Sequence, residues 1–136
     1  MKKILITGCT GFVGYHLTSR LIRKNYKVIG IDNNSRGRLN RFTEDDLKKF
    51  EFKKIDIRNF KELSDSVRDV DAVVHLAYVN GTENFYNHPD VVLDVGIRGL
   101  INIFDLCKEK NIKELYIASS SEVLGNPKNI PTSEES

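Results

Sequence analysis

Five short apolar runs alternate along this chain with stretches whose apolar residues recur every three or four positions. The short runs are rich in valine, isoleucine and leucine and predict strands at residues 2–7, 26–31, 52–57, 72–76 and 114–118. The longer period predicts helices at residues 12–24, 60–67 and 89–110, and a short helix within residues 42–50 that Thr43 would cap. This alternation predicts an α/β domain with β-α-β crossovers and a parallel sheet.

Two of the remaining segments carry further information. Residues 77–87 are predicted as a loop, and the length of that loop indicates a function. The helix at residues 89–110 has an apolar arc wider than one sheet-facing stripe needs, so a second face is expected to meet another helix. Residues 126–136 are predicted as loop within the same domain, which spans residues 1–136.

Composition narrows the function classes. A net charge of +2 on 136 residues is too small to indicate a nucleic-acid or membrane partner. Two cysteines without metal-like spacing indicate reduced thiols and a cytoplasmic setting, and no metal site is predicted. No apolar run approaches the length of a transmembrane helix.

Three glycines follow the first predicted strand at every third residue: Gly8, Gly11 and Gly14. A strand that turns directly into a helix leaves the first N–H groups of the helix free to bind phosphate. Gly8 would permit the tight turn, Gly11 would leave room for a pyrophosphate, and Gly14 would let helix and strand pack closely. Cys9 also lies at this helix start, which would lower the pKa of its thiol, although a small loop-filling role is favoured over a nucleophilic one.

An acid at the end of the second strand completes a dinucleotide pattern. Asp32 lies 18 residues after Gly14, near the ~20 expected for the carboxylate that binds the adenine ribose. This pattern predicts a Rossmann-type sheet in the order 3-2-1-4-5 with helices on both faces. Asp32 favours NAD over NADP, because a 2′-phosphate beside it would meet repulsion on the order of several kcal/mol. Arg36 and Arg38 are close enough in sequence to weaken that preference.

Five ordered motifs resemble those of the extended short-chain dehydrogenase/reductase family, which includes NAD-dependent nucleotide-sugar epimerases, dehydratases and decarboxylases. The motifs are TGCTGFVG at residues 7–14, DN at 32–33, DIR at 56–58, HLAY at 75–78 and SSSEVLG at 119–125. The resemblance implies an NAD site in which Asp56 binds the adenine amino group and Ile57 flanks the ring. The expected cofactor-binding residues are Gly8, Gly11, Phe12, Val13, Gly14, Asp32, Asn33, Ser35, Arg36, Asp56, Ile57, Leu76, Ala77 and Tyr78.

The resemblance also implies catalytic groups. Ser120 matches the hydroxyl that binds the reacting sugar oxygen, and Glu122 matches a position where dehydratases and decarboxylases often carry a catalytic glutamate. A polar loop role for Glu122 is about equally favoured. In the family, a tyrosine of a later Tyr-x-x-x-Lys helix removes the sugar proton while hydride passes to NAD. No such motif occurs here, so the chain is expected to be truncated before that helix, to lack the substrate domain and to be inactive alone.

Four positions depart from the family pattern. Gly96 stands where asparagine is usual, Leu100 replaces a threonine, Leu124 replaces the tyrosine of the serine motif, and Tyr78 replaces the second alanine of HLAA.

Two hypotheses about the function of the chain therefore stay open. The chain is either the NAD-binding part of a nucleotide-sugar epimerase or dehydratase, or a non-catalytic dinucleotide-binding or interaction module. The resemblance further implies a homo-oligomer formed through the helix at residues 89–110.

Overall fold

The strands form one parallel five-stranded sheet in the order β3-β2-β1-β4-β5, as the sequence predicts. The computed structural model describes residues 2–126 and 130–133. The strands are β1 (Lys3–Thr7), β2 (Lys27–Asp32), β3 (Glu51–Lys54), β4 (Ala72–His75) and β5 (Glu114–Ile117). β1 lies in the middle, where Leu5 pairs with Ile29 of β2 on one side and with Val73 of β4 on the other. The chain order reverses at β1, so the carboxyl ends of β1 and β4 open a crevice.

Helices connect the strands and cover both faces of the sheet. They are α1 (Phe12–Arg23), α2 (Glu44–Leu47), α3 (Phe60–Ser66), α4 (Thr82–Asn87), α5 (Pro89–Leu93) and α6 (Gly99–Glu109). The Thr43 hydroxyl accepts the N–H of Asp46 at 3.1 Å, which confirms the predicted cap of α2. Asn59 caps α3 in the same way, since its side-chain oxygen accepts the N–H of Glu62.

Two predicted segments differ from the structure. The predicted loop at residues 77–87 contains α4, which begins after Gly81 and is held there by the hydrogen bond from the Asn84 N–H to the Gly81 carbonyl. The predicted helix at residues 89–110 is continuous but not uniform, because a wide π-type turn at Asp94–Arg98 joins α5 to α6. Wide turns of this kind occur often at functional sites, and this one faces the crevice through Val95.

The third strand is shorter than predicted. It ends at Lys54 instead of residue 57, and Ile55 and Ile57 are buried beyond its end. Their burial explains the apolar pattern that predicted a longer strand. Residues 126 and 130–133 lie outside helices and strands, in agreement with the predicted loop, whereas residues 127–129 and 134–136 lie outside the described part of the chain.

The core has two parts, one on each face of the sheet. Alternate residues of β1 point to opposite faces, so Leu5 packs with α3 and α6 while Ile4 and Ile6 pack with α1. Leu63, Ile103 and Leu106 are fully buried in the first part. Ile22 of α1 is buried in the second part. Helices on both faces are thus confirmed, and they fix the crevice at the carboxyl edge of the sheet.

Candidate dinucleotide site

The glycine turn closes tightly between β1 and α1. Gly8 has a φ of +71°, a conformation that favours glycine, and its N–H donates to the Ile31 carbonyl at 2.8 Å. A Cβ on Gly8 would lie 2.8 Å from the backbone nitrogen of Ala77, so the turn also lies against the end of β4. A Cβ on Gly14 would lie 2.0 Å from the Gly8 carbonyl oxygen. The first and third glycines therefore set the contact between turn, strand ends and helix.

The start of α1 presents free backbone donors. Gly11 precedes the helix and provides no side-chain cap. In the part of the chain that the structure describes, the N–H groups of Phe12 and Val13 have no acceptor. Their side chains are apolar and largely exposed, so the backbone N–H groups are the polar groups that these two residues offer to a ligand. Uncapped N–H groups and the positive end of the helix dipole form a site for phosphate.

Asp32 ties the end of β2 to the glycine turn. Its Oδ2 accepts the Thr10 N–H at 3.0 Å, and its Oδ1 accepts the Asn34 N–H at 2.8 Å. Asp32 also lines the cavity, and each carboxylate oxygen can accept a further hydrogen bond. The geometry therefore supports both a structural role for Asp32 and the predicted contact with ribose hydroxyls.

Asp56 lies beside Asn33 and is paired with Arg58. The Arg58 guanidinium donates to both carboxylate oxygens of Asp56, at 3.0 and 2.7 Å, and also reaches Asp94 at 3.1 Å. This pairing lowers the pKa of Asp56 to about 2. Asn33 donates to the same carboxylate at 3.4 Å. Asp56 is therefore a fixed anion at the cavity wall, and Arg58 links it to the wide turn of the long helix.

The backbone of Ile57, a residue that lines the cavity, is held in place by Asn102 of α6. The Asn102 side chain donates to the Ile57 carbonyl at 2.8 Å, and both residues are buried. No local pattern in the sequence indicates Asn102, because its partner lies 45 residues earlier in the chain. An apolar residue at a polar-lined cavity suits the predicted contact with the flat face of adenine.

The ends of β1 and β4 are locked through Thr7. Its hydroxyl oxygen accepts the N–H groups of Leu76 and Ala77, both at 3.2 Å, and lies 2.7 Å from His75 Nδ1. Because two donors already occupy that oxygen, its own proton points to His75 Nδ1. Burial lowers the pKa of His75, so the ring is a neutral structural group.

Most of the predicted cofactor residues line one cavity at this edge of the sheet. They are Gly8, Gly11, Asp32, Asn33, Ser35, Arg36, Asp56, Ile57, Leu76, Ala77 and Tyr78. Phe12, Val13 and Gly14 line an adjoining groove that also includes Arg36 and Tyr78. Four lining residues were not predicted: Gly37, Ile55, Val79 and Val95. Val95 comes from the wide turn, which no sequence signal indicated.

Arg36 connects two segments that border the cavity. Its guanidinium donates to the Asn80 carbonyl, which joins the loop after β2 to the segment after β4. Arg36 lines both the cavity and the adjoining groove. A fixed positive charge therefore lies close to where a pyrophosphate would bind.

The predicted catalytic pair stands apart from this cavity. Ser120 donates to the Glu122 carboxylate at 2.9 Å, and both side chains are exposed. Neither residue lines the cavity, although Ile117 and Ala118, just before them, line a small cavity beside His75. The roles of Ser120 and Glu122 stay predictions.

The expected lowering of the Cys9 pKa is wrong, whereas the preference for a small filling role over a nucleophilic one agrees with the structure. The residue is fully buried, and burial raises the pKa of its thiol, with the negative charge of Asp32 adding to the effect. Its sulfur packs close to Gly30, 2.7 Å from where a Cβ would lie. Desolvation exceeds the effect of the helix start, and Cys9 is a core residue.

The described residues contain neither a metal-binding cluster nor a membrane-spanning helix. Over residues 2–126 and 130–133, no three His, Cys, Asp or Glu side chains are grouped so that they could hold a metal ion. Over the same residues, no helix has the length and apolar character needed to cross a bilayer.

The sheet order, the glycine turn and the acid at the end of β2 define a Rossmann-type dinucleotide fold. Residues 4–136 match the model of the family described as NAD dependent epimerase/dehydratase, and the chain belongs to that family. The resemblance read from the sequence is thereby confirmed. The alternative of a non-catalytic module is not favoured by this match.

Individual relatives agree with the family. A putative UDP-glucose 4-epimerase of Methanocaldococcus jannaschii is 35% identical over 134 residues, which are 96% of this chain and 42% of the relative. UDP-N-acetylglucosamine 4-epimerase from Methanobrevibacter ruminantium M1, solved with UDP-N-acetylmuramic acid, is 31% identical with a TM-score of 0.86, over 98% of this chain and 42% of that chain. UDP-glucose 4-epimerase from Bifidobacterium longum, solved with NAD+ and UDP, is 26% identical with a TM-score of 0.89, over 98% and 42%. The chain thus spans about two fifths of the length of these relatives.

Proposed function

We propose that this chain binds NAD in the cavity at the carboxyl ends of β2, β1 and β4, as part of a nucleotide-sugar epimerase or dehydratase. The observation that carries the proposal is that Gly8, Asp32 and Asp56 line one cavity. A dinucleotide needs phosphate donors, a ribose acceptor and an adenine partner within reach of a single ligand. This cavity offers the ribose acceptor and the adenine partner, and the adjoining groove offers the free N–H groups of Phe12 and Val13 as phosphate donors.

The residues around the cavity fit the parts of NAD in order. The free N–H groups of Phe12 and Val13 would bind the pyrophosphate, and the carboxylate of Asp32 would accept the hydroxyls of the adenine ribose. Asp56 would accept a hydrogen bond from the adenine amino group, and Ile57 would contact the ring. We infer that Asn33, Ser35 and Leu76 shape the walls that these contacts require.

Asp32 supports NAD over NADP. A 2′-phosphate would stand beside its carboxylate, and like charges at that distance repel. Arg36 could offset this repulsion only if its guanidinium faced the ribose. Instead it donates to the Asn80 carbonyl, after β4.

The proposed chemistry is reversible oxidation of a sugar carbon. Bound NAD would supply a hydride acceptor. The Ser120 hydroxyl would bind the reacting sugar oxygen, and Glu122, whose carboxylate is already in contact with that hydroxyl, would orient it. This sequence contains no Tyr-x-x-x-Lys motif, so we propose that the chain binds the cofactor and that turnover needs a base which these residues do not supply. The UDP-sugar relatives support a nucleotide sugar as the substrate class.

We also propose that a second copy of the chain covers the exposed face of the long helix. Four apolar side chains on this helix, here called the helix stripe, are each at least half exposed: Leu93, Ile97, Ile101 and Phe104. Exposed apolar rows of this kind are typical of helix-helix interfaces.

The two cysteines are unpaired, which supports the further proposal of a cytoplasmic location.

Calorimetric titration of the chain with NAD and with ADP tests the proposed binding. We expect both ligands to bind with millimolar or tighter affinity, because ADP contains the adenine, the ribose and the pyrophosphate for which Asp56, Asp32 and the start of α1 are the proposed partners. An absence of heat with both ligands would contradict the proposal.

A further inference from the structure

Tyr78 has a backbone that is fixed and a side chain that is half open. It follows Leu76 and Ala77, whose N–H groups are both bound to Thr7. Yet Tyr78 is 52% exposed, so its ring faces the cavity region and not the core. An aromatic ring on a fixed backbone can contact a ligand at low entropic cost.

The ring of Tyr78 occupies the space that a side chain on Gly96 would need. A Cβ on residue 96 would lie 2.6 Å from Tyr78 Cε2, and 3.5 and 3.6 Å from two further ring carbons. Gly96 lies in the wide turn of the long helix. The two positions that depart from the family pattern beside the cavity are therefore in contact, and the ring keeps this place only while residue 96 has no side chain.

Tyr78 also borders three neighbouring spaces. On one side is the cavity that contains Asp32 and Asp56, and next to it is the groove along the glycine turn. On the other side is a small cavity at the ends of β4 and β5, lined by His75, Leu76, Ala77, Tyr78, Gly96, Leu100, Ile117 and Ala118. Tyr78 thus separates the space above β2 and β3 from the space above β4 and β5.

The path of a dinucleotide crosses this boundary. If the adenine half lies beside Asp32 and Asp56 and the pyrophosphate lies at Gly11, the second nucleotide must continue over β4 toward β5. We propose that Tyr78 contacts the nicotinamide half of NAD on this path, and that Gly96 is a positioning residue which acts by seating the Tyr78 ring. This inference rests on the proposed function, since it assumes that NAD occupies the cavity.

Comparing NAD with ADP isolates this contact, because ADP has the adenine half and the pyrophosphate but lacks the nicotinamide half. We expect Tyr78→Ala to weaken NAD binding about tenfold and to leave ADP binding within about twofold. Tyr78→Phe keeps the ring and should recover most of the lost NAD affinity. Tyr86→Ala is the matched control, because Tyr86 is 81% exposed on α4 and lines none of the three spaces.

Gly96→Ala tests the seating of the ring. Alanine favours the helix more than glycine does, so the variant should stay folded, while its methyl group displaces the ring. We expect weaker NAD binding with unchanged ADP binding. In Tyr78→Ala/Gly96→Ala the second change should add nothing to the first, since the ring is already gone.

The outcomes separate this inference from the proposed function. If ADP and NAD both bind, and NAD affinity is the same in wild type, Tyr78→Ala and Gly96→Ala, the inference is wrong while NAD binding stands. If Tyr78→Ala weakens ADP and NAD equally, the residue has a general structural role and the inference is again wrong. If neither ligand binds the wild-type chain, the proposed function itself fails.

Discussion

The carbonyl oxygen of Gly8 lies 2.0 Å from the point where a Cβ on Gly14 would stand. The backbone of the turn therefore lies so close to the first turn of α1 that residue 14 has no room for a side chain. A carbonyl in a tight turn cannot rotate away, because Gly8 is also bound through its N–H to the end of β2. The spacing of these two glycines is therefore a packing requirement of the turn.

Gly14→Ala should lower the free energy of unfolding by about 3 kcal/mol, because the added methyl group must push backbone against backbone. Gly99→Ala is a matched control in the same chain. Its Cβ would lie 2.3 Å from the Cδ1 of Ile57, a side-chain atom that shifts at lower cost than backbone, and alanine favours the helix by about 1 kcal/mol, so a smaller loss is expected. Urea unfolding of both variants checks this, and equal losses would contradict the packing argument.

Asp32→Ala should weaken NAD binding about tenfold or more and reduce the preference for NAD over NADP, because it removes the ribose acceptor and the charge that repels a 2′-phosphate. It should also cost about 1–2 kcal/mol of stability, since two backbone N–H groups lose their acceptor. Titration calorimetry with each dinucleotide gives the affinities.

The control for Asp32 lies at the opposite edge of the sheet. Asp71 accepts the Lys3 N–H at 2.7 Å, so Asp71→Ala loses a comparable backbone contact without touching the cavity. If Asp71→Ala lowered NAD affinity as much as Asp32→Ala does, the ribose assignment would be lost.

Asp56→Asn should destabilise the chain at neutral pH by about 1–2 kcal/mol, a figure reduced for partial solvent screening of the pair. The pKa of Asp56 is about 2 in the folded chain, below the ordinary value of 3.8. The carboxylate therefore stabilises the fold above about pH 4, and that contribution is lost as the pH falls toward 2.

Denaturant unfolding between pH 7 and pH 2 measures this difference. The gap in stability between wild type and Asp56→Asn should shrink on acidification. Asp65→Asn, which breaks an exposed pair with Lys61, should change stability little across the range. A constant gap for Asp56→Asn would show that its pairing with Arg58 does not stabilise the fold.

Ile101→Glu should weaken self-association about tenfold or more, because it places a charge in the middle of the helix stripe. Leu47→Glu is the control, since Leu47 is 36% exposed on α2, away from that stripe. Light scattering over micromolar to millimolar concentrations compares the two variants with wild type. A wild-type chain that is monomeric throughout this range would contradict the proposed dimer.

The sheet and the main cavity residues could be predicted because their signals are local. Strand and helix periods are set by which residues face the core, and Asp32 follows directly from the end of β2. α4 was missed because its exposed sequence has no apolar period of its own. The third strand was predicted too long because Ile55 and Ile57 are buried beyond its end. Alternating buried residues give the same apolar pattern whether or not the backbone is part of the sheet.

The remaining errors concern contacts between distant residues. The link from Arg58 to Asp94 joins positions 36 residues apart, and nothing local to either residue indicates it. The pKa of Cys9 was expected to fall because the sequence shows that the residue precedes a helix. The sequence does not show that the residue is buried, and burial raises the pKa. The contact between Tyr78 and Gly96 appeared in the sequence only as two separate departures from a pattern.

The most direct test of the account is the set of amide resonances that shift when NAD is added to the isotopically labelled chain. Shifts in the ¹H–¹⁵N spectrum should concentrate at the cavity, at Gly8, Gly11, Asp32, Asp56 and Tyr78. Residues of the helix stripe, such as Ile101 and Phe104, should shift little. An unchanged spectrum at millimolar NAD, or shifts centred on the helix stripe, would contradict the claim that this cavity binds the dinucleotide.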